Sequence, residues 1–190
     1  MLTIQEVSVK NVRKTYKNHH VSIRELSFTK AITIIKGENG SGKSTLLKAM
    51  ASLISYEGEI VRPDRVGFMQ EEVSLPLDSS LRLFLSSLRS IGQKTKEEKI
   101  DYFIDLFSLK EKLDEKLGAL SKGMRMKVNL IQCLMEEKDL YLLDEPFSGL
   151  DKESVRALVS YMHKQTDKKF IVTSHIFFDV SDLDCEVLYL

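Results

Sequence analysis

The sequence carries no net charge: 28 Lys and Arg balance 28 Asp and Glu over 190 residues. A dedicated nucleic-acid binder usually has a basic excess, so this balance argues against one. Cysteine is scarce too. Cys133 and Cys185 stand far apart and match no metal-ligand spacing, so both are expected as buried small hydrophobes in a reducing compartment. No apolar run approaches the ~20 residues that a spanning helix needs. The opening "MLTIQEVSVK" lacks the basic, apolar and small-residue regions of a secretory signal. The expectation is a chain that does not cross a membrane by itself. The sequence has no internal repeat, no low-complexity linker and no long run of coiled-coil heptads.

What is present is ordinary for a globular chain: 43% hydrophobic and 29% charged residues. The length suits one domain, or one domain with an inserted lobe. The charge is unevenly spread. Residues 1–48 hold nine Lys and Arg against three Asp and Glu. Such a segment attracts a polyanionic ligand or serves as a solvated basic face.

The hydrophobic pattern predicts strands at "LTIQEVSV" (2–9), "HHVSIRELSF" (19–28) and "AITII" (31–35), then a helix over 43–53. "GEIV" and "VGFM" read as short strands. From Asp78 to about Glu137 the signal is helical. "LYLLD", "KFIVTSH" and "EVLYL" read as buried strands, and "VRALVSYM" places Val155, Leu158, Val159 and Met162 on one helical face. Strands alternating with helices predict an α/β fold with a parallel sheet, interrupted by an all-helical insert.

The stretch "IIKGENGSGKSTLLK" (34–48) is the most informative. "GENGSGKS" fits G-x-x-x-x-G-K-[ST], the phosphate-binding loop pattern, and a chance match in a chain of this size is on the order of one percent. Gly37, Gly40 and Gly42 admit backbone angles that other residues resist, so main-chain N–H groups can close around a phosphate chain. The following helix points its positive end at the same place. Lys43 reaches β- and γ-phosphates, the Ser44 hydroxyl ligates Mg²⁺, and Thr45 adds a phosphate contact. In "LYLLDEP" (140–146) an apolar strand ends in two acids. Asp144 is expected to hold Mg²⁺ through water. Glu145 follows at once and is placed to polarise an attacking water.

With these motifs, the sequence resembles the ATP-binding subunit of an ABC transporter over nearly its whole length. The resemblance implies a P-loop NTPase with a mostly parallel core sheet, an N-terminal antiparallel β subdomain, and a helical subdomain inserted at about 78–137 of a single 1–190 domain. It implies ATP and Mg²⁺ as ligands, with Glu38, Asn39 and Ser41 completing the nucleotide loop. Gln70, in "VGFMQEE", matches the glutamine that links the metal site to the helical lobe. "LSKGM" (120–124) occupies the signature position, so Ser121 and Gly123 are expected on the nucleotide of an opposite subunit. "SGLD" (148–151) matches the loop that crosses to that subunit. His175 matches the switch histidine, and Tyr16 lies where the family stacks an aromatic on adenine. Taken alone, Ser121 reads as a helix N-cap and His175 as a packed or surface histidine.

The family's usual signature is L-S-G-G-Q, whereas Lys122 and Met124 stand here. "SKGM" followed by basic residues resembles exporter-type subunits. The sequence also ends at "EVLYL", where the family continues with another strand and helices, which reads as a minimal subunit or a shortened chain. The resemblance implies a multi-span permease and a second ATPase subunit as partners, at the inner face of the cell membrane. Two other readings compete. A non-transport ABC ATPase acting on DNA or ribosomes is disfavoured by the single nucleotide motif set and the absent heptads. A phosphate-loop kinase leaves "LSKGM", "SGLD" and His175 unexplained.

Overall fold

Val7, Val9, Val12, Val21 and Ile23 are buried among mostly polar neighbours, and the chain there turns back on itself as a hairpin. In the computed structural model, which describes residues 6–17, 19–72, 74–91, 97–175 and 184–190, β1 (Ser8–Tyr16) and β2 (His19–Ser27) pair antiparallel, with Val12 opposite Ile23. Next come β3 (Ile32–Lys36), α1 (Lys43–Met50), β4 (Glu57–Val61) and β5 (Val66–Met69). β4 joins the free edge of β1 to make a three-stranded antiparallel sheet, order β2-β1-β4. The β1–β4 register slips between Lys10 and Arg13. Gly58 sits against this bulge at φ 106°, where an added Cβ would stand 2.5 Å from the Asn11 carbonyl oxygen.

A second sheet holds five parallel strands in the order β5-β6-β7-β3-β8, with β6 (Leu140–Leu143), β7 (Lys169–Thr173) and β8 (Glu186–Tyr189). Every residue of β6 and β7 is buried. That is why these strands read as continuous apolar runs rather than alternating ones. α1 places Leu46, Leu47 and Met50 in one apolar cluster with Val9, Val12 and Val21 of the hairpin and Ile35, Leu142 and Ile171 of the parallel sheet. Each such side chain contributes about 1.5–3 kcal/mol when fully buried. β8 is clamped by Glu186, whose carboxylate accepts from Thr29 N–H (2.8 Å), Thr29 Oγ1 (2.8 Å) and Thr33 Oγ1 (2.6 Å).

The fold class agrees with the sequence reading: a parallel core sheet with a separate antiparallel one. The first strand does not. It runs over Ser8–Tyr16 rather than 2–9; residues 2–5 of that expected strand lie outside the described residues. "KNVRKTY" is half solvated, and the bulge at Asn11 (φ 51°) puts the buried Val9 and Val12 three residues apart, so no two-residue alternation marks the strand. The helix after the phosphate loop ends at Met50, not at residue 53, because Ser52 turns the chain at φ 58°. The strand expected through His175 stops at Thr173. Cys133 is buried as expected, but Cys185 is only half-buried because it lies just before β8.

Chain packing divides the protein into two compact units, residues 1–70, 138–146 and 162–190, and residues 71–137 and 147–161. The second is helical: α2 (Leu81–Ile91), α3 (Glu97–Leu106), α4 (Lys122–Leu134) and the first part of α5 (Lys152–Lys164), with short 3-10 turns at Lys110–Lys112 and Leu117–Ala119. An isolated bridge joins Ser80 to Lys116. Phe103 stacks on Phe107 and meets Tyr161 edge-on, with centroids 4.9 Å apart in the latter pair. On α4 and at its C-terminus, Met126, Val128, Ile131 and Met135 are buried and Met124 is half-buried. No helix among the described residues is long and apolar enough to cross a membrane.

Candidate functional site

Because all five strands of the second sheet run parallel, their carboxyl ends meet at one edge, where α/β sheets bind ligands. β3 delivers the glycine loop there. β6 delivers Asp144 and Glu145, β7 delivers Thr173 to His175, and β5 delivers Gln70. A pocket at this edge is lined by Gly37, Glu38 and Asn39 of the loop together with Ser174, His175 and Tyr189.

The loop is held in a conformation that its glycines favour. Gly40 has φ 85° and Gly42 φ 103°. A Cβ on Gly42 would also stand 2.6 Å from Val21 Cγ1, so the hairpin packs directly onto the loop. Lys43 is buried, and its Nζ donates to the carbonyls of Gly37 (2.8 Å) and Glu38 (3.0 Å). The ammonium is thereby curled inside the turn. Ser41 Oγ is buried without a hydrogen-bond partner. A free hydroxyl, a cation and a glycine turn at a helix N-terminus fit a phosphate group. Ser44 and Thr45 follow, half-buried, in the first turn of α1.

Tyr16 stands at the rim. Its hydroxyl lies 3.4 Å from Thr45 Oγ1, and Lys14 Nζ sits 5.7 Å from its ring centroid. The ring is 40% exposed, which leaves surface on which a base can stack. Tyr16→Ala should weaken ATP binding by ~1–3 kcal/mol, the worth of one base–aromatic stack. An unchanged dissociation constant in calorimetry would reduce Tyr16 to a packing residue.

Asp144 and Glu145 are both buried. The Asp144 N–H donates to Met69 O (2.8 Å), which ties the end of β6 to the end of β5. Glu145 has φ 51°, a left-handed conformation that non-glycine residues rarely hold. Its N–H donates to Thr173 Oγ1 (2.9 Å), and that hydroxyl donates to Asp144 Oδ1 (2.7 Å). Glu145 Oε2 accepts from the His175 N–H (3.2 Å) and lies 2.8 Å from His175 Nδ1. Glu145 and His175, expected separately from two motifs, are in direct contact. Thr173 is the residue that sequence reading missed. The one available signal was a hydroxyl at the end of a strand with the apolar run 170–172, two positions before His175.

Gln70, just past β5, is exposed. Ser121 and Gly123 lie in the helical unit. Ser121 caps α4, its Oγ accepting from Met124 N–H (3.2 Å). Gly123 packs against the "SGLD" loop so closely that a Cβ would stand 2.3 Å from Gly149 O. Asp151 caps α5 through Ser154 N–H (2.8 Å) and pairs with Lys127 (2.9 Å). Lys127, then the Ser154 donors, hold the Asp151 carboxyl well below the usual range. The first half of α4 and the "SGLD" loop are thus joined at two points, Gly123 against Gly149 and Lys127 with Asp151.

The family profile described as ABC transporter matches residues 20–148. The chain belongs to that family. It is 31% identical to an uncharacterised ABC transporter ATP-binding protein of Methanocaldococcus jannaschii over 97% of this chain and 74% of that protein. It is 32% identical to a zinc import ATP-binding protein of Rickettsia bellii, over 95% of this chain and 80% of the relative. Among solved structures, an ABC transporter ATP-binding protein from Pyrococcus furiosus superposes with a TM-score of 0.78, covering 96% of this chain and 97% of the other at 23% identity. That likeness speaks for the fold. The chain is an ABC ATPase, and in ABC transporters such subunits bind and hydrolyse ATP and work with membrane permease components.

Proposed function

We propose that this ABC ATPase powers an exporter, as one 1–190 ATPase domain whose helical subdomain, about 78–137, engages a multi-span permease at the inner face of the cell membrane. The observation that carries the reading is the contact of Glu145 with His175, beside Asp144 and on the sheet edge that bears the Lys43 loop. Gly37 to Thr45 hold the phosphates of ATP, and Tyr16 stacks on its adenine. Ser44, Gln70 and Asp144 would hold Mg²⁺, which would neutralise charge on the β- and γ-phosphates. Glu145 orients the attacking water and takes its proton. His175, against the same carboxylate, fixes its direction, and Lys43 stabilises the charge that grows on the γ-phosphate.

Two ATPase subunits enclose the nucleotides, each site using one chain's loop and the other's Ser121 and Gly123. The α4 N-terminus, capped by Ser121, is suited to an anion. Closure follows ATP binding, and hydrolysis reopens the pair. Export is supported by Lys122, Arg125 and Lys127 in and after the signature. Import is the second reading, favoured by the zinc import protein of Rickettsia bellii among the relatives. Zinc content in cells lacking the chain separates the two, since loss of a zinc importer lowers it.

Ser121→Arg tests the shared site. The isolated chain should bind ATP with unchanged affinity, while ATPase activity of the assembled pair should fall to background. Loss of ATP binding by the isolated chain would mean that "LSKGM" acts within its own subunit or only supports the fold.

A further inference from the structure

We infer that Thr173 is the positioning residue that sets both acids of the ATPase site, Asp144 and Glu145, through one hydroxyl. The inference rests on the site reading above and extends it to a residue to which the sequence reading gave no role.

Thr173 ends β7, and none of its surface is exposed. Its hydroxyl makes two bonds of opposite sense. The O–H is donated to Asp144 Oδ1 at 2.7 Å. The oxygen accepts the N–H of Glu145 at 2.9 Å. A hydroxyl can do both at once; a methyl group can do neither.

Each bond has a consequence at a different acid. With Oδ1 held by Thr173, rotation of the Asp144 carboxylate is restrained, and its second oxygen would remain to hold Mg²⁺. Ligating carboxylates are commonly steered by such partners, whose loss weakens metal affinity. At Glu145 the bond holds the peptide that turns the chain to φ 51°. A residue stays in that sparsely populated region only when its surroundings hold it there. The Glu145 carboxylate is held at its other end by His175, two residues beyond Thr173. The end of β7 therefore grips Glu145 by both its backbone and its side chain.

Threonine and valine have nearly the same shape, so Thr173→Val removes the two hydrogen bonds with little change in packing. Thr173→Ser keeps the hydroxyl and removes the methyl. The full chain is measured in three ways: ADP affinity in EDTA, Mn²⁺ affinity in the presence of ADP by electron paramagnetic resonance, and steady-state ATP hydrolysis. ADP affinity in EDTA depends on the loop and Lys43 and should be unchanged in both variants. In Thr173→Val, Mn²⁺ affinity should fall by about tenfold to a hundredfold, the usual effect of losing a partner that orients a metal ligand. Its kcat should fall by about tenfold or more while KM for ATP moves less than about threefold, since an interaction of the reacting acid and not of substrate binding is lost. Thr173→Ser should restore both quantities to within about threefold of wild type.

Wild-type Mn²⁺ affinity and kcat in Thr173→Val would overturn the inference. So would a Thr173→Ser chain that behaves like Thr173→Val, because the methyl and not the hydroxyl would then matter. If Thr173→Val does not fold, Thr173→Ser decides: retained Mn²⁺ affinity supports the hydroxyl, and its loss overturns it. A wild-type chain that binds ADP but shows no ADP-dependent Mn²⁺ site would sink the metal assignment of Asp144 itself, and this inference with it.

Discussion

A Lys43→Ala chain should fold and yet hold no useful Mg·ATP. In the folded chain Lys43 is buried, with its ammonium against the carbonyls of Gly37 and Glu38 at 2.8 and 3.0 Å. Those two carbonyls belong to the loop itself, so the cation stays poised within the turn that closes on phosphate. The glycine angles, the Gly42–Val21 contact and the α1 core residues Leu46, Leu47 and Met50 do not depend on it. Thermal stability should therefore change little. Binding should change greatly. Removing one partner of a desolvated charge pair costs about 2–5 kcal/mol, which is about 30-fold to several-thousand-fold in dissociation constant. Calorimetric titration with Mg·ATP reads this directly. Wild-type affinity in Lys43→Ala would show that residues 37–45 form a glycine-rich turn and not a phosphate site.

The parts of this site that the sequence discloses are those where chemistry demands a rare residue pattern. Gly40 and Gly42 adopt angles that few other residues tolerate, so the loop cannot be written another way. The strands "LYLL" and "KFIVT" are visible because both faces are buried. Where a segment is half solvated, the signal fails. β1 keeps Val9 and Val12 inward, but the bulge between them breaks the two-residue period and Lys10, Arg13 and Lys14 surround them, so the apolar pattern does not set the strand's limits. Thr173 is invisible for another reason: threonine is a common strand residue, and only the fold brings it beside Asp144. The pairing of Lys127 with Asp151 links residues 24 apart in sequence, on different elements, and no local spacing reports it. The left-handed turn at Glu145 is hidden as well, since nothing about glutamate announces a positive φ.

Glu145→Gln should bind ATP normally and barely hydrolyse it. The geometry makes this a clean substitution. Glu145 Oε2 accepts the His175 N–H and meets His175 Nδ1, and a glutamine oxygen can accept in the same place. The backbone bond from Glu145 N–H to Thr173 is untouched by a change of side chain. What glutamine cannot do is take a proton from water. General-base assistance is typically worth ~10²–10⁴ in rate, and kcat should fall by that factor. Phosphate binding rests on Lys43 and the loop, at other strand ends of the sheet, so the dissociation constant for ATP should stay within about twofold of wild type. If hydrolysis is the step that reopens a pair of subunits, the ATP-bound pair should then accumulate. Gel filtration with Mg·ATP should show a dimer for Glu145→Gln and mainly monomer for wild type. Wild-type turnover in the variant would remove Glu145 from the chemistry and return His175 to the role of a surface histidine. A variant that cannot hydrolyse ATP yet stays monomeric would keep Glu145 as the base while placing dimer closure under the control of the membrane partner, a result to which Lys122 and Met124 in the signature would then be the first residues to answer.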